Sequence, residues 1–333
     1  MKKIFYILAL GIALAGCSNN EDELLSTGSF PEDHVIRVIT EVNEPLSRAG
    51  YDAMNLERFG LMIRNSENAA YNYHKQMVGS GSAWSTSDGQ QMLWDAERTP
   101  VTMIAYAPFM SEATPDASLT VNALTNQSTE ENVKSSDFLL MKATVDPEQD
   151  LTADGKLKIS LNHAMSKLII KITVNGTTDA SMSKLGDMAI NGAVVNATCD
   201  LSAAAPVVVP AADAVVATVA PYKGTESCEC ILPPQKIAEG FSVNFSYDGK
   251  LYIWTAKEPI ELEKGVESTR SAVPGTVRAA AEQAENFLHG TRLTAGMVSA
   301  FIENVFVHDG GRIVVRFKYE QSIQDTVKAL QTG

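Results

Sequence analysis

The four cysteines of this 333-residue sequence, at positions 17, 199, 228 and 230, are its side chains best equipped for covalent or metal chemistry. Cys17 stands apart: it follows an apolar run from Ile4 to Ala15 and precedes the acids Glu21, Asp22 and Glu23. Ala15 and Gly16 are small enough to let an extended backbone enter a peptidase, after which the Cys17 thiol can carry a lipid. An oxidising compartment permits a disulfide from Cys199 to Cys228 or to Cys230 and leaves one thiol over. Cys228 and Cys230 form a C-x-C pair, which on a strand puts both sulfurs on one face. No further ligands stand at metal-site spacing, so small apolar side chains buried on strands are the favoured reading, with no metal and no cofactor expected.

No other pattern in the sequence suits catalysis. There is no G-x-S-x-G elbow, H-E-x-x-H pair or G-x-x-x-x-G-K-[ST] loop. His34, His74, His163, His289 and His308 are scattered. His163, beside Leu161 and without a nucleophile pattern nearby, reads as a structural histidine. Asp146, Asp150 and Asp154 fall four apart, whereas a calcium loop needs oxygens at alternate positions and a closing glutamate. The chain is therefore expected to have no catalytic residues.

The elements that must carry these residues begin with a leader. Lys2 and Lys3 followed by the run to Ala15 suit the core of a signal peptide and are too short to span a bilayer. Residues 14–17, "LAGC", resemble a bacterial lipobox, which implies acylation of Cys17 and attachment to the outer membrane without crossing it. Glu21, Asp22 and Glu23 serve equally as a solvated linker or as a surface-export tether.

Short strands separated by polar turns follow. "VIRVITEV" at 35–42 sets Ile36, Val38 and Val42 on one face and Arg37 and Glu41 on the other. "FGLMIRN" (59–65), "VTMIAYAPF" (101–109), "DFLLMKATV" (137–145), "KLKISL" (156–161) and "KLIIKITV" (167–174) read as further strands. "FSVNFSYDGKLYIWTAK" (241–257) is a hairpin turning at Asp248-Gly249, and "PIELEKG" (259–265) a later strand. With no helical crossovers, the pattern gives an all-β protein of sandwich type. The expected division is a signal peptide at 1–16, a linker at 17–34, β-sandwiches at 35–150 and 151–266, and a tail at 267–333.

The net charge of −13 argues against nucleic-acid partners, because phosphate contacts need a basic surface. The tail is a compositional outlier: it balances seven basic against seven acidic residues, so the whole excess lies before it. It reads as a helix at 276–288, a second helix capped by Thr294, and a hairpin through Asp309-Gly310-Gly311.

Taken in order, "LAGC", "SRAGY" (47–51), "TMIAYAPF" (102–109), "SSDFLLMKAT" (135–144), "LNHAMSKLIIKITV" (161–174), "ILPPQ" (231–235) and "LYIWTAKEPIELEKG" (251–265) give the body, about residues 1–266, a resemblance to fimbrillins. These Mfa-like lipoprotein subunits and anchors build type V pili. The resemblance implies two transthyretin-like β-sandwich domains in tandem, no enzymatic activity, and other fimbrial subunits as partners. It also implies cleavage after Arg48 by an arginine-specific protease, release of the strand at 35–42 with Ile36, Val38 and Val42, and replacement by a strand from another subunit. Residues 292–320 instead resemble the extreme carboxyl terminus of large serine recombinases, which implies a small α/β appendage of foreign character and a missing final strand. A second function class remains open: a surface lipoprotein that binds host ligands or glycans through Trp84, Tyr71 and Tyr73 without polymerising. Trp254 is expected in a core; Trp94 is left open.

Overall fold

The computed structural model describes residues 29–43, 50–52, 54–172, 181–272, 302–307 and 313–317. The protein is mostly β and built from several sheets. The first half comprises β1 (Val38–Asn43), β2 (Arg58–Asn65), β3 (Tyr73–Ser80), β4 (Ala83–Thr86), β5 (Val101–Ala107), β6 (Ser118–Thr120), a single helical turn and a half α1 (Glu130–Ser135), β7 (Leu139–Val145) and β8 (Leu157–His163). The second half comprises β9 (Ser166–Ile172), β10 (Leu185–Val194), β11 (Ala197–Asp200), β12 (Val208–Pro210), β13 (Val216–Val219), β14 (Tyr222–Lys223), β15 (Cys228–Leu232), β16 (Gln235–Ile237), β17 (Ser242–Tyr247), β18 (Lys250–Thr255), β19 (Ile260–Leu262) and β20 (Glu267–Ala272). The tail contributes a hairpin, β21 (Ile302–Val307) and β22 (Ile313–Phe317). The helices expected at 276–288 and after Thr294 lie outside the described residues.

Seven strands form one sheet in the order β1-β8-β7-β5-β2-β3-β4. Its two ends curl toward each other until the Thr40 N–H donates to the Gly81 carbonyl (3.0 Å) and the Ile36 N–H to that of Met92 (2.9 Å). Curling of this kind partly covers the two edges of the sheet without pairing β1 to β4 as a ladder. The concave side holds one core, which includes Phe59, Leu61, Ile63, Met103, Ala105 and Leu139. The alternate residues Met62, Ile104, Tyr106, Phe138 and Leu140 point outward into a second core shared with β9–β19. Strands β2 and β5 and the start of β7 are thus covered on both faces, which is why these stretches are near-continuous apolar runs.

Sheet membership crosses residue 150 in both directions: β8 completes the seven-stranded sheet, whereas β6 pairs with β11. The halves are also tied by polar contacts. Lys142 on β7 donates to the carbonyls of Leu201 (2.7 Å) and Ala203 (2.9 Å) at the turn after β11.

Among the described residues the strand ladders are antiparallel except β1 with β8 and β20 with β9, and an isolated bridge joins Asn126 to Ala220 in parallel. Both parallel pairs join strands remote in sequence, as parallel pairing requires. β20 also corrects an expectation: the strand pattern continues past residue 266, so the body keeps a final strand, and its Glu267 pairs in register with Lys167. The β17–β18 hairpin turns where expected, with φ of 51° at Asp248 and 75° at Gly249, the left-handed values of a tight primed turn.

Candidate strand-exchange site

β1 is an edge strand, hydrogen-bonded in parallel to β8 from Val38 opposite Leu157 to Asn43 opposite Asn162. Ile36 and Val38 are buried in the concave core and Val42 packs against it half-buried, so the three residues share the face that their alternation implies. The slot beneath them is lined by the buried side chains Leu157, Ile159 and Leu161 of β8. On the outer face Glu41 accepts a hydrogen bond from Ser160 and lies 2.9 Å from Lys158 Nζ. The Ser160 and Lys158 contacts together hold its carboxyl below the usual range.

Thr40 occupies the inward position between Val38 and Val42, a polar interruption that alternation alone does not explain. Its Oγ1 accepts a hydrogen bond from Trp84 Nε1 at 3.0 Å, and the same N–H lies 3.0 Å from the Gly81 carbonyl. The indole meanwhile packs edge-on against Phe59, with ring centroids 4.8 Å apart. Trp84 is therefore committed to the seam between β1 and the β3–β4 hairpin. A shallow groove of about 210 Å³ runs beside it, lined by Ile36, Arg37, Trp84, Gln90 and Met92 among others. Trp94 is buried in the concave core, Trp254 is half-buried with its edge toward Phe241, and the Tyr73 hydroxyl bonds the backbone of Leu93.

Arg48 lies outside the described residues, as does Cys17. The chain just downstream of Arg48 is held by a buried polar cluster. The Tyr51 N–H donates to Asp137 Oδ2 at 3.1 Å, and His163 Nδ1 lies 2.9 Å from the same oxygen. Gly50 approaches so closely that a β-carbon there would come within 2.9 Å of Asp137 Oδ2, so a side chain at this position forces the carboxylate to shift. Lys134 of α1 donates to the Asn55 carbonyl (2.6 Å) and sits 5.1 Å from the centre of the Tyr51 ring. Burial, aided by the charge of Asp137, pushes the Tyr51 hydroxyl up to about 12. His163 is thus a buried structural residue that orients Asp137. The Asp137–Tyr51 connection has no sequence signature, because its members are 86 residues apart.

Cys199 on β11 and Cys228 and Cys230 on β15 are buried free thiols, so the disulfide considered from sequence is not formed. Burial pushes Cys199 up to about 11 and Cys228 up to about 12, and raises Cys230 further. Among the described residues no group of His, Cys, Asp or Glu is placed to hold a metal ion.

A family model described as fimbrillin-like matches residues 48–284, well over half of the sequence. The chain belongs to the fimbrillin-like family. The matched region starts at Arg48, just after β1, and runs beyond β20. A search of curated proteins found no match. Among solved structures, the fimbrillin-like chain is similar to a candidate cell adhesion protein from Bacteroides uniformis, with TM-score 0.54, 15% identity, and coverage of 74% of this chain and 94% of that one. A candidate cell adhesion protein from Bacteroides ovatus gives TM-score 0.54 and 17% identity over 72% of this chain and 91% of that one. The tip fimbrial protein Mfa3 from Porphyromonas gingivalis aligns at TM-score 0.40 and 9% identity over 72% of this chain and 96% of that one. The fimbrillin-like family is a non-enzymatic family of fimbrial and adhesion proteins, and membership places the chain at the cell surface or in a fimbrium.

Proposed function

We propose that this protein is a fimbrial subunit or anchor, lipidated at Cys17 on the outer membrane and joined to other subunits by strand exchange after cleavage at Arg48. The body would consist of tandem transthyretin-like sandwiches. The observation that carries the reading is the placement of β1: an edge strand with one ladder, apolar residues in the core, and its whole length upstream of Arg48. Its removal opens the edge of β8 above Leu157, Ile159 and Leu161, a slot that an incoming strand fills with the same hydrogen bonds and alternate side chains. β20, parallel to β9, gives the second half its own edge strand.

Treatment of the purified protein with an arginine-specific protease tests this reading. The expected result is a cut before Ala49, loss of the fragment that contains β1, and formation of multimers that resist mild detergent. A chain left intact at Arg48, or a cut chain that stays monomeric at high concentration, counts against it. The glycan-binding alternative gains no support from Trp84, whose N–H is already engaged by Thr40 and Gly81.

A further inference from the structure

We propose that the free edge of β13 is a homotypic interface, on which a second copy of this chain pairs its own β13 antiparallel about a twofold axis through Ala217. The contact involves neither β1 nor Arg48, so it is separate from the strand exchange proposed above.

β13 closes one end of the sheet β13-β10-β17-β18. Backbone groups alternate sides along a strand, so their pairing shows which ones face outward. Ala220, just past β13, already uses its outward groups: its N–H donates to the Thr125 carbonyl and its own carbonyl accepts from the Gln127 N–H, both at 2.8 Å. Thr218 and Val216 have the same parity and direct their N–H and C=O groups the same way, away from β10, where no further strand is paired among the described residues. The side chains on this edge are open as well: Thr218 is exposed, and Val215 and Val216 are 70% and 63% exposed.

Sheets usually guard such edges with proline, charge or a covering segment. Pro206 and Pro210 guard β12, Lys250 opens β18, and Glu267 and Arg270 stand on β20. β13 has none of these devices. From Leu201 to Tyr222 the one charged residue is Asp213, which lies in the turn before the strand. Bare valines beside unpaired backbone groups make this edge a pairing surface.

Two features select a second copy as the occupant. The chain has a net charge of −13, so two copies repel each other on average, and a neutral apolar edge is where their contact costs least. The outward groups are also self-complementary. With Ala217 on the axis, Val216 of one copy lies opposite Thr218 of the second copy, and the two such pairs exchange about four hydrogen bonds. The free window is short, bounded by the Ala220 bonds on one side and on the other by the turn in which the Ala214 N–H donates to Ala211 (3.0 Å). That suits a brief symmetric ladder better than a long donated strand.

The test traps the pair in the full, uncut chain carrying Ala217→Cys. Residues on the axis form the closer, non-hydrogen-bonded kind of pair, with α-carbons about 4.5 Å apart, inside the range that a disulfide spans. With a thiol oxidant, covalent dimer should form at least about tenfold faster than in Thr255→Cys, a control on the opposite edge of the same sheet whose greater exposure favours random collision. The wild type sets the background from Cys17, since Cys199, Cys228 and Cys230 are buried. Val216→Pro removes an outward N–H that the fold leaves unpaired, and should return Ala217→Cys to the control rate. If circular dichroism shows that this variant does not fold, Val216→Lys takes its place, since it sets two cations against each other across the axis. Equal rates for Ala217→Cys and Thr255→Cys, or a fast rate that survives the substitution at Val216, overturn the proposal.

Discussion

Trp84 Nε1 and Thr40 Oγ1 meet at 3.0 Å across the seam where the two ends of the seven-stranded sheet approach each other. The contact turns an unfavourable feature, a hydroxyl on the inward face of β1, into a link between β1 and the β3–β4 hairpin. β1 therefore has side-chain as well as backbone ties on the flank opposite β8.

Trp84→Phe keeps the ring against Phe59 but removes the N–H shared by Thr40 and Gly81. The expected cost is about 1–2 kcal/mol, the range for a partly buried hydrogen bond whose acceptors lose their donor. Its distinguishing sign is local: amide exchange should accelerate along β1 more than along the central strand β5. Uniform acceleration would mean that the seam contributes only to global stability.

Gly60 on β2 lies flat against Tyr106 of β5, where a β-carbon would sit 2.5 Å from the ring carbon Cζ. Tyr106 is fully buried and its hydroxyl is held by His74 Nε2 (2.8 Å) and the Met110 carbonyl (2.9 Å), so the ring has no free direction in which to retreat. Gly60→Ala should destabilise by about 1–3 kcal/mol through overpacking, measurable as a lower urea midpoint. Recovery in Gly60→Ala/Tyr106→Leu relative to Tyr106→Leu alone would identify the ring as the obstacle.

What the sequence made legible follows from locality. The hairpin at Asp248-Gly249 and the apolar runs of β2, β5 and β7 were readable because a turn or a covered strand is encoded by adjacent residues. α1 was missed because six residues cannot display a helical period; its signals are the Thr129 cap and Glu130 and Glu131 in the first turn. The parallel placement of β20 and the Asp137 cluster were also missed, since each depends on partners about 100 residues away or on a fold already formed. Lys167 is the plainest case: in "SKLIIKI" it looks like a solvent-facing position, yet it is completely buried on a strand flanked by β15 and β20.

Lys167 Nζ lies 2.7 Å from Glu229 of β15 and 3.9 Å from Glu267 of β20, so one buried cation links the strands on both sides of β9. Lys167→Met leaves Glu229 and Glu267 without this cation and should cost about 3–5 kcal/mol, as breaking a buried pair does. Lys167→Met/Glu229→Leu should be less harmful than Lys167→Met alone, because it removes the stranded charge as well. Additive losses in urea unfolding would show that the two side chains act independently.

The three buried thiols give the protein a defined weakness at alkaline pH. Burial raises Cys199 to about 11 and Cys228 to about 12, and Cys230 shifts in the same direction. Below about pH 8.5, the ordinary cysteine value, the thiols are protonated whether the chain is folded or not, and they contribute no pH dependence. Above it the unfolded chain loses these protons first, so the folded state binds more protons and stability falls as pH rises. Each thiol adds a slope of up to about 1.4 kcal/mol per pH unit until its folded value is reached. Cys228→Ala/Cys230→Ala should therefore flatten the decline in urea midpoint between pH 9 and pH 11 while lowering stability at pH 7 through lost packing. The same burial predicts that a thiol-specific disulfide reagent labels none of the three in the folded protein at pH 8 and all of them in urea; rapid labelling of folded Cys230 would place its strand outside the core.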